Sequence, residues 1–187
     1  ALKVAAASQA SLERLLGEME IARSLQRSLL PAAPPQLPGM EIEVRYQAMT
    51  RVGGDFYDFR ATESGLGVLL ADVSGHGVPA ALIVSIVKMA FWFQRNNLAR
   101  PDQLLADMNE ILLENIGGEF VTASYFFVDQ GRRKLLAANA GHPALLVQRA
   151  RDGAIEELRP VGRILGPLPT GQYELVERAL EDGDRLI

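Results

Sequence analysis

With 187 residues, 48% of them hydrophobic, the chain has apolar material for one globular domain plus an appendage and too little length for two full domains. A charged fraction of 22% and a net charge of −4 exclude a disordered or basic chain and give no electrostatic help toward nucleic acid or an anionic membrane. The lack of cysteine excludes disulfides and thiolate metal sites, and it agrees with a reducing, cytoplasmic setting.

The sequence does not begin with Met and reads as cut from something longer; no basic stretch followed by an apolar run and a cleavage site marks a signal peptide. Residues 1 to about 30 hold no proline and a single glycine, Gly17, which predicts a helix. Leu2, Ala5, Gln9, Leu12, Leu16, Met19, Arg23, Gln26 and Leu30 alternate steps of three and four, a heptad seam interrupted by Gln9, Arg23 and Gln26. Two readings stay open. The segment is either a coiled-coil linker that pairs two chains into a homodimer, or an amphipathic helix packed on its own domain.

Pro31, Pro34, Pro35 and Pro38 then stop the helix, because proline lacks an amide donor and clashes with the preceding turn. From Met40 to Ala48 strict alternation of apolar and polar residues predicts a half-buried strand. Further strands fit Asp55 to Arg60 and Leu66 to Val73, the latter apolar enough to be buried on both faces. Pro79 suits the first turn of a helix over Ala80 to Gln94, and a second helix fits Asp102 to Glu114. The most apolar stretch, Ala80 to Phe93, is too short for a membrane span. Strand-like runs follow at Phe120 to Val128, Arg132 to Asn139, Ala144 to Arg149 and Gln172 to Arg178, separated by turn signals. Strands, a helix pair, then strands again predict an α+β layered fold with largely antiparallel sheets.

Two acidic, glycine-rich segments could carry chemistry: Val52-Gly53-Gly54-Asp55-Phe56-Tyr57-Asp58-Phe59 and Ala71-Asp72-Val73-Ser74-Gly75-His76-Gly77. Each puts a carboxylate at a strand end beside glycines that let the backbone bend and approach a ligand. If Asp55 and Asp72 converge, they repel unless protonated or bridged by a cation. With oxygen donors dominant, that cation would be Mg²⁺ or Mn²⁺ rather than zinc. The alternative is that these aspartates only cap turns.

These segments resemble the bacterial SpoIIE-like phosphatases of the RsbU and RsbP type, a branch of the metal-dependent protein phosphatase 2C superfamily. The resemblance also takes in Leu29-Leu30-Pro31, Leu37-Pro38-Gly39, Phe120-Val121-Thr122-Ala123, Asn139-Ala140-Gly141-His142-Pro143 and Gly183-Asp184-Arg185-Leu186. It implies an α-β-β-α sandwich of two antiparallel sheets flanked by helices, with an N-terminal helical linker (1–30) and a phosphatase domain (31–187). It implies two Mn²⁺ or Mg²⁺ ions, with Asp72 bridging them, the Val73 carbonyl as the next ligand, and Asp55 reaching a metal directly or through water. The ions would ionise a water that attacks phosphorus in line with the serine or threonine oxygen. Gly54, Gly75 and Gly77 would shape the loops. Asp58 would hold a turn, His76 would order its loop by hydrogen bonding, and His142 would support a turn. Arg51, four residues before Asp55, would bind substrate phosphate.

By the same resemblance the family pattern runs past Ile187 to a further aspartate ligand and a later one. The domain is therefore expected to be truncated at its C-terminus, and residues 1–187 alone to hold at most one metal and show little activity. The implied substrate is a phosphorylated STAS-type anti-anti-sigma protein, and the implied partner of residues 1–30 is an upstream sensor domain or activator. The rival reading is a pseudophosphatase or dimeric signalling module that binds a phosphoprotein without hydrolysing it.

Overall fold

The computed structural model describes residues 2–47, 52–169 and 171–187. Helix α1 (Leu2–Leu29) runs unbroken until the proline cluster begins at Pro31. Helices α2 (Val78–Trp92) and α3 (Pro101–Leu113) both carry proline in the first turn, where its missing N–H costs nothing. The buried residues of α2 (Ala80, Ile83, Val84, Val87, Ala90 and Phe91) recur at helical spacing and form one face.

The strands are β1 (Asp55–Ala61), β2 (Gly65–Val73), β3 (Val121–Asp129), β4 (Lys134–Ala140), β5 (Leu145–Gln148), β6 (Ile155–Leu158), β7 (Val176–Ala179) and β8 (Arg185–Leu186). They form a five-stranded sheet in the order β1-β2-β3-β4-β7 and a three-stranded sheet in the order β6-β5-β8, with every pairing antiparallel. Side-chain parity along β2 builds the layers. Leu69, Ala71 and Val73 join the core shared with α2 and α3, whereas Leu66 and Val68 face the other way, against Leu145, Val147 and Leu158 of the small sheet. β2 is thus covered on both faces over most of its length, as its composition predicts. The layering matches the expected α+β architecture, with α2 and α3 on one outer face of the large sheet.

Residues 40–47, β6 and the two-residue β8 depart from the sequence reading. Residues 40–47 form no strand: Met40 makes a single bridge to Leu37, and Met40 and Ile42 pack on the inter-sheet core without a ladder partner. The alternation reported which side chains face inward, which an extended segment satisfies without hydrogen-bonded neighbours; Ala48 lies outside the described residues. Conversely β6 gave no signal, because it is an edge strand whose Ile155 is exposed and whose two glutamates break the apolar pattern. The small sheet is pinned at its rim by Asp184. Its carboxylate accepts hydrogen bonds from the amides of Ala150 (2.9 Å) and Glu181 (3.0 Å) and pairs with Arg149 at 2.9 Å. That staple accounts structurally for the Gly183-Asp184 motif.

Candidate metal centre

Asp55 opens β1 and Asp72 lies one residue before the end of β2. The register sets them directly opposite each other. Directly paired residues of antiparallel strands project from the same face, so the two carboxylates share one end of the sheet. Asp72 is also paired with Thr122 of β3, which makes a row of Asp55, Asp72 and Thr122 across three strands. Along β2 this face runs from buried Leu66 and Val68, between the sheets, to Leu70 at 37% exposure and then to exposed Asp72. The carboxylates therefore occupy the open mouth of the sandwich, beyond the inter-sheet packing.

The backbone places a third oxygen-bearing group there. A side-chain carbon placed on Gly54 would lie 2.4 Å from the Val73 carbonyl oxygen and 3.1 Å from Asp72 Oδ1. Gly54 leaves open the space that both oxygens border, and its own carbonyl accepts from Val73 N at 3.2 Å. Burial raises the proton affinity of Asp72, the neighbouring Asp55 charge raises it further, and His142 acts in the opposite direction. Two carboxylates and a carbonyl form a hard oxygen set that fits a divalent cation such as Mg²⁺ or Mn²⁺, and the mutual repulsion of the aspartates is what such an ion relieves. Among the described residues no three His, Asp or Glu side chains converge closely enough to hold an ion.

His142 both serves a turn and borders the row of Asp55, Asp72 and Thr122. Its backbone serves the turn, since its N–H donates to Asn139 Oδ1 (2.8 Å) and its carbonyl accepts from Asn139 Nδ2 (2.9 Å). Its imidazole Nδ1 shares a hydrogen bond of 2.9 Å with the Thr122 hydroxyl, beside Asp72. Burial lowers the proton affinity of the ring, against the upward pull of Asp72 and Asp55. The neutral form is thus favoured at neutral pH, and Thr122 fixes which nitrogen faces away from it.

Other predicted residues are placed differently. Asp58 lies on the opposite face of β1 from Asp55, where its Oδ2 pairs with Lys88 of α2 at 2.8 Å and its Oδ1 accepts from Phe59 N. It ties the edge strand to α2 and stands apart from the two carboxylates. His76, expected to order its loop by hydrogen bonding, is exposed and makes no hydrogen bond among the described residues. Ser74 does that work: its N–H donates to the Phe120 carbonyl (2.9 Å), its hydroxyl accepts from Phe120 N (3.0 Å), and the hydroxyl donates to Glu119. Gly75 and Gly77, at φ of 82° and 76°, supply the left-handed turns that carry the chain from β2 into α2. Arg51 lies outside the described residues. Sequence reading also missed Tyr46, whose hydroxyl donates to the Asp55 carbonyl at 3.3 Å, and Gln26, which reaches Gly53.

Residues 62–187 match the family profile of Stage II sporulation protein E (SpoIIE). The chain is 27% identical over 176 residues to the phosphoserine phosphatase RsbU of Bacillus subtilis, covering 94% of this chain and 52% of that protein. It is 28% identical over 137 residues to the phosphoserine phosphatase RsbP of the same organism, covering 70% of this chain and 34% of that one. The chain thus spans about half the length of the first relative and a third of the second. The SiaA-PP2C domain of Pseudomonas aeruginosa has the same fold, with a TM-score of 0.81 at 24% identity over 95% of this chain and 72% of that one.

Proposed function

The chain belongs to the SpoIIE family, and from that premise we propose that it is the catalytic part of a metal-dependent phosphatase acting on phosphoserine or phosphothreonine of a regulatory protein. The observation that carries this reading is the direct pairing of Asp55 with Asp72 at an open strand end. Those two carboxylates and the Val73 carbonyl hold the cations, Gly54 keeps the space clear, and Thr122 and His142 line the adjoining wall. Bound divalent ions supply positive charge that acidifies a water and offsets the negative charge growing on the phosphoryl oxygens. His142, with one ring nitrogen engaged by Thr122, keeps its other nitrogen for a hydrogen bond with the substrate phosphate. The described donors account for part of a two-ion centre.

The substrate is a small phosphorylated protein of the STAS type in a sigma-factor switching pathway, a role supported by the likeness to RsbU and RsbP. The exposed mouth of the sandwich suits a phosphorylated side chain presented on a protein surface. Residues 1–30 form the linker. Leu12, Leu16, Ile21 and Leu25 of α1 are exposed, leaving an apolar surface for a second copy or an upstream sensor domain. Among the described residues no helix is long and apolar enough to cross a membrane, and the setting proposed is the cytoplasm.

The test is phosphate release from a phosphorylated STAS-domain protein by the complete protein with Mn²⁺, beside Asp72→Asn. Release by the parent and none by the variant supports the reading. Tight binding of the phosphoprotein with no release by the parent would establish a binding module instead. Light scattering of a version lacking residues 1–30 checks the linker: unchanged dimerisation and activation would count against it.

A further inference from the structure

Among the described side chains of α1, Gln26 alone is buried, at 6% exposure, although its neighbour Leu25 stands 64% exposed. A polar side chain inward and an apolar one outward is the reverse of what core packing asks, and the hydrogen bonds explain it. The Gln26 amide pairs with both backbone groups of one residue, and so with the two peptide units that flank it: Oε1 accepts from Gly53 N at 3.0 Å, and Nε2 donates to the Gly53 carbonyl at 2.5 Å. Residue 26 lies in the last turn of the linker helix, while Gly53 is two residues before Asp55 and adjoins Gly54. Leu29 and Leu30 pack on the core beside it, so the end of α1 is seated where this clamp can form.

Resting on the cation-binding reading above, we infer that Gln26 is a positioning residue for the metal centre: it fixes the Gly53–Gly54 backbone and so sets where Asp55 stands relative to Asp72 and the Val73 carbonyl. The physical need is specific. Two consecutive glycines have the widest backbone freedom of any pair and no side chains with which to anchor themselves. At Gly54 a side-chain carbon would meet the Val73 carbonyl at 2.4 Å, so substitution cannot stiffen that position. An external two-point clamp supplies the order, and ordering a ligand segment before binding raises affinity without touching the ligand. The clamp comes from the linker helix, so a displacement of α1 by a fraction of a helical turn breaks it and loosens one of the two carboxylates. The polar interruption of the heptad seam at position 26 is thereby accounted for.

The test compares the complete protein with Gln26→Met, Gln26→Glu, the core truncation Leu105→Ala, and Asp72→Asn. Mn²⁺ affinity is measured by calorimetry, stability by thermal unfolding in EDTA, and the Val52–Asp55 amides by hydrogen exchange. Gln26→Met keeps length and loses both hydrogen bonds; Mn²⁺ binding is expected to weaken about tenfold, as for two lost bonds of typical net strength. The Gly53 amide should exchange faster, while kcat at saturating Mn²⁺ stays near the parent value. Gln26→Glu, which retains the acceptor for Gly53 N, should fall between. Leu105→Ala should lower Tm without the affinity loss. Parent-like Mn²⁺ affinity in Gln26→Met overturns the inference, as does an equal affinity loss in Leu105→Ala at matched Tm. Should Asp72→Asn bind Mn²⁺ as the parent does, the cation reading itself fails and the inference with it; loss of binding there with none in Gln26→Met refutes the clamp alone.

Discussion

Replacing Asp72 with Asn should make the metal-free protein more stable while removing its response to cations. Asp72 and Asp55 are opposed residues of adjacent antiparallel strands, where Cβ atoms lie about 4.5–5.5 Å apart. Two unit charges at about 5 Å repel by about 0.8 kcal/mol in bulk water. The exposure of Asp72 keeps the interaction near that screened limit, so relief of about 0.5–1 kcal/mol is expected. Burial and Asp55 hold the Asp72 carboxyl above its ordinary range. Its contribution to stability is therefore complete below the unfolded carboxyl pKa and lost as pH rises through the raised folded value. Asparagine removes that loss at neutral pH. For a domain of this size 1 kcal/mol moves Tm by about 2–4 °C. Scanning calorimetry in EDTA at neutral pH should show a gain of that order or somewhat less, and the gap should close in acid. Added Mn²⁺ should raise the Tm of the parent, by an amount corresponding to about 2.7 kcal/mol at a hundredfold excess over Kd, and leave the variant unmoved. A variant several degrees less stable in EDTA, or one that gains from Mn²⁺ as the parent does, would refute both the repulsion and the shared coordination.

Gly54→Ala should abolish Mn²⁺ binding with a loss of Tm, because the added carbon falls 2.4 Å from the Val73 carbonyl, a backbone atom that cannot swing away; calorimetric titration checks it. Lys88→Met leaves the Asp58 carboxylate, 9% exposed, without its partner, at a cost of about 2–3 kcal/mol, read as a lower denaturation midpoint in urea with an unchanged m-value. Asp184→Ala should cost about 2 kcal/mol, less than for a deeply buried pair because solvent reaches the neighbouring Arg149 and screens it. Burial acts to raise the Asp184 carboxyl, but the Glu181 and Ala150 amides and Arg149 outweigh it and hold the group below its usual range. The stability Asp184 provides is therefore present above the unfolded carboxyl pKa and lost as pH falls through the folded value. The Tm difference between parent and Asp184→Ala should accordingly shrink in acid.

Much of the architecture was legible because it rests on short-range pattern. Pro79 and Pro101 mark helix starts, and the unbroken apolar run of β2 announces a strand covered on both faces. Asp55 and Asp72 were legible as a pair because each sits between a strand and glycines. What the sequence concealed is set by tertiary contact. Nothing local separates Asp55 from Asp58, yet strand parity sends one to the open mouth and the other to Lys88. His76 looked the natural organiser of its loop, but Ser74 reaches Glu119 and Phe120 across a gap of 45 and 46 residues in the chain. Thr122 entered only as part of a motif; its place beside Asp72 follows from register, which hydrophobic pattern alone does not fix.

The large sheet ends at β1 among the described strands, whereas β2 has neighbours on both sides. The two acidic groups are consequently unequal in mechanical terms. One is bolted into the lattice from left and right, and the other rides on a rail attached along a single side. Any influence that retunes the grip on a cation has least resistance to overcome at the rail. A designer wishing to make the proposed activity depend on a new input would do best to attach that input to the outermost strand and leave the bolted carboxylate as the fixed reference.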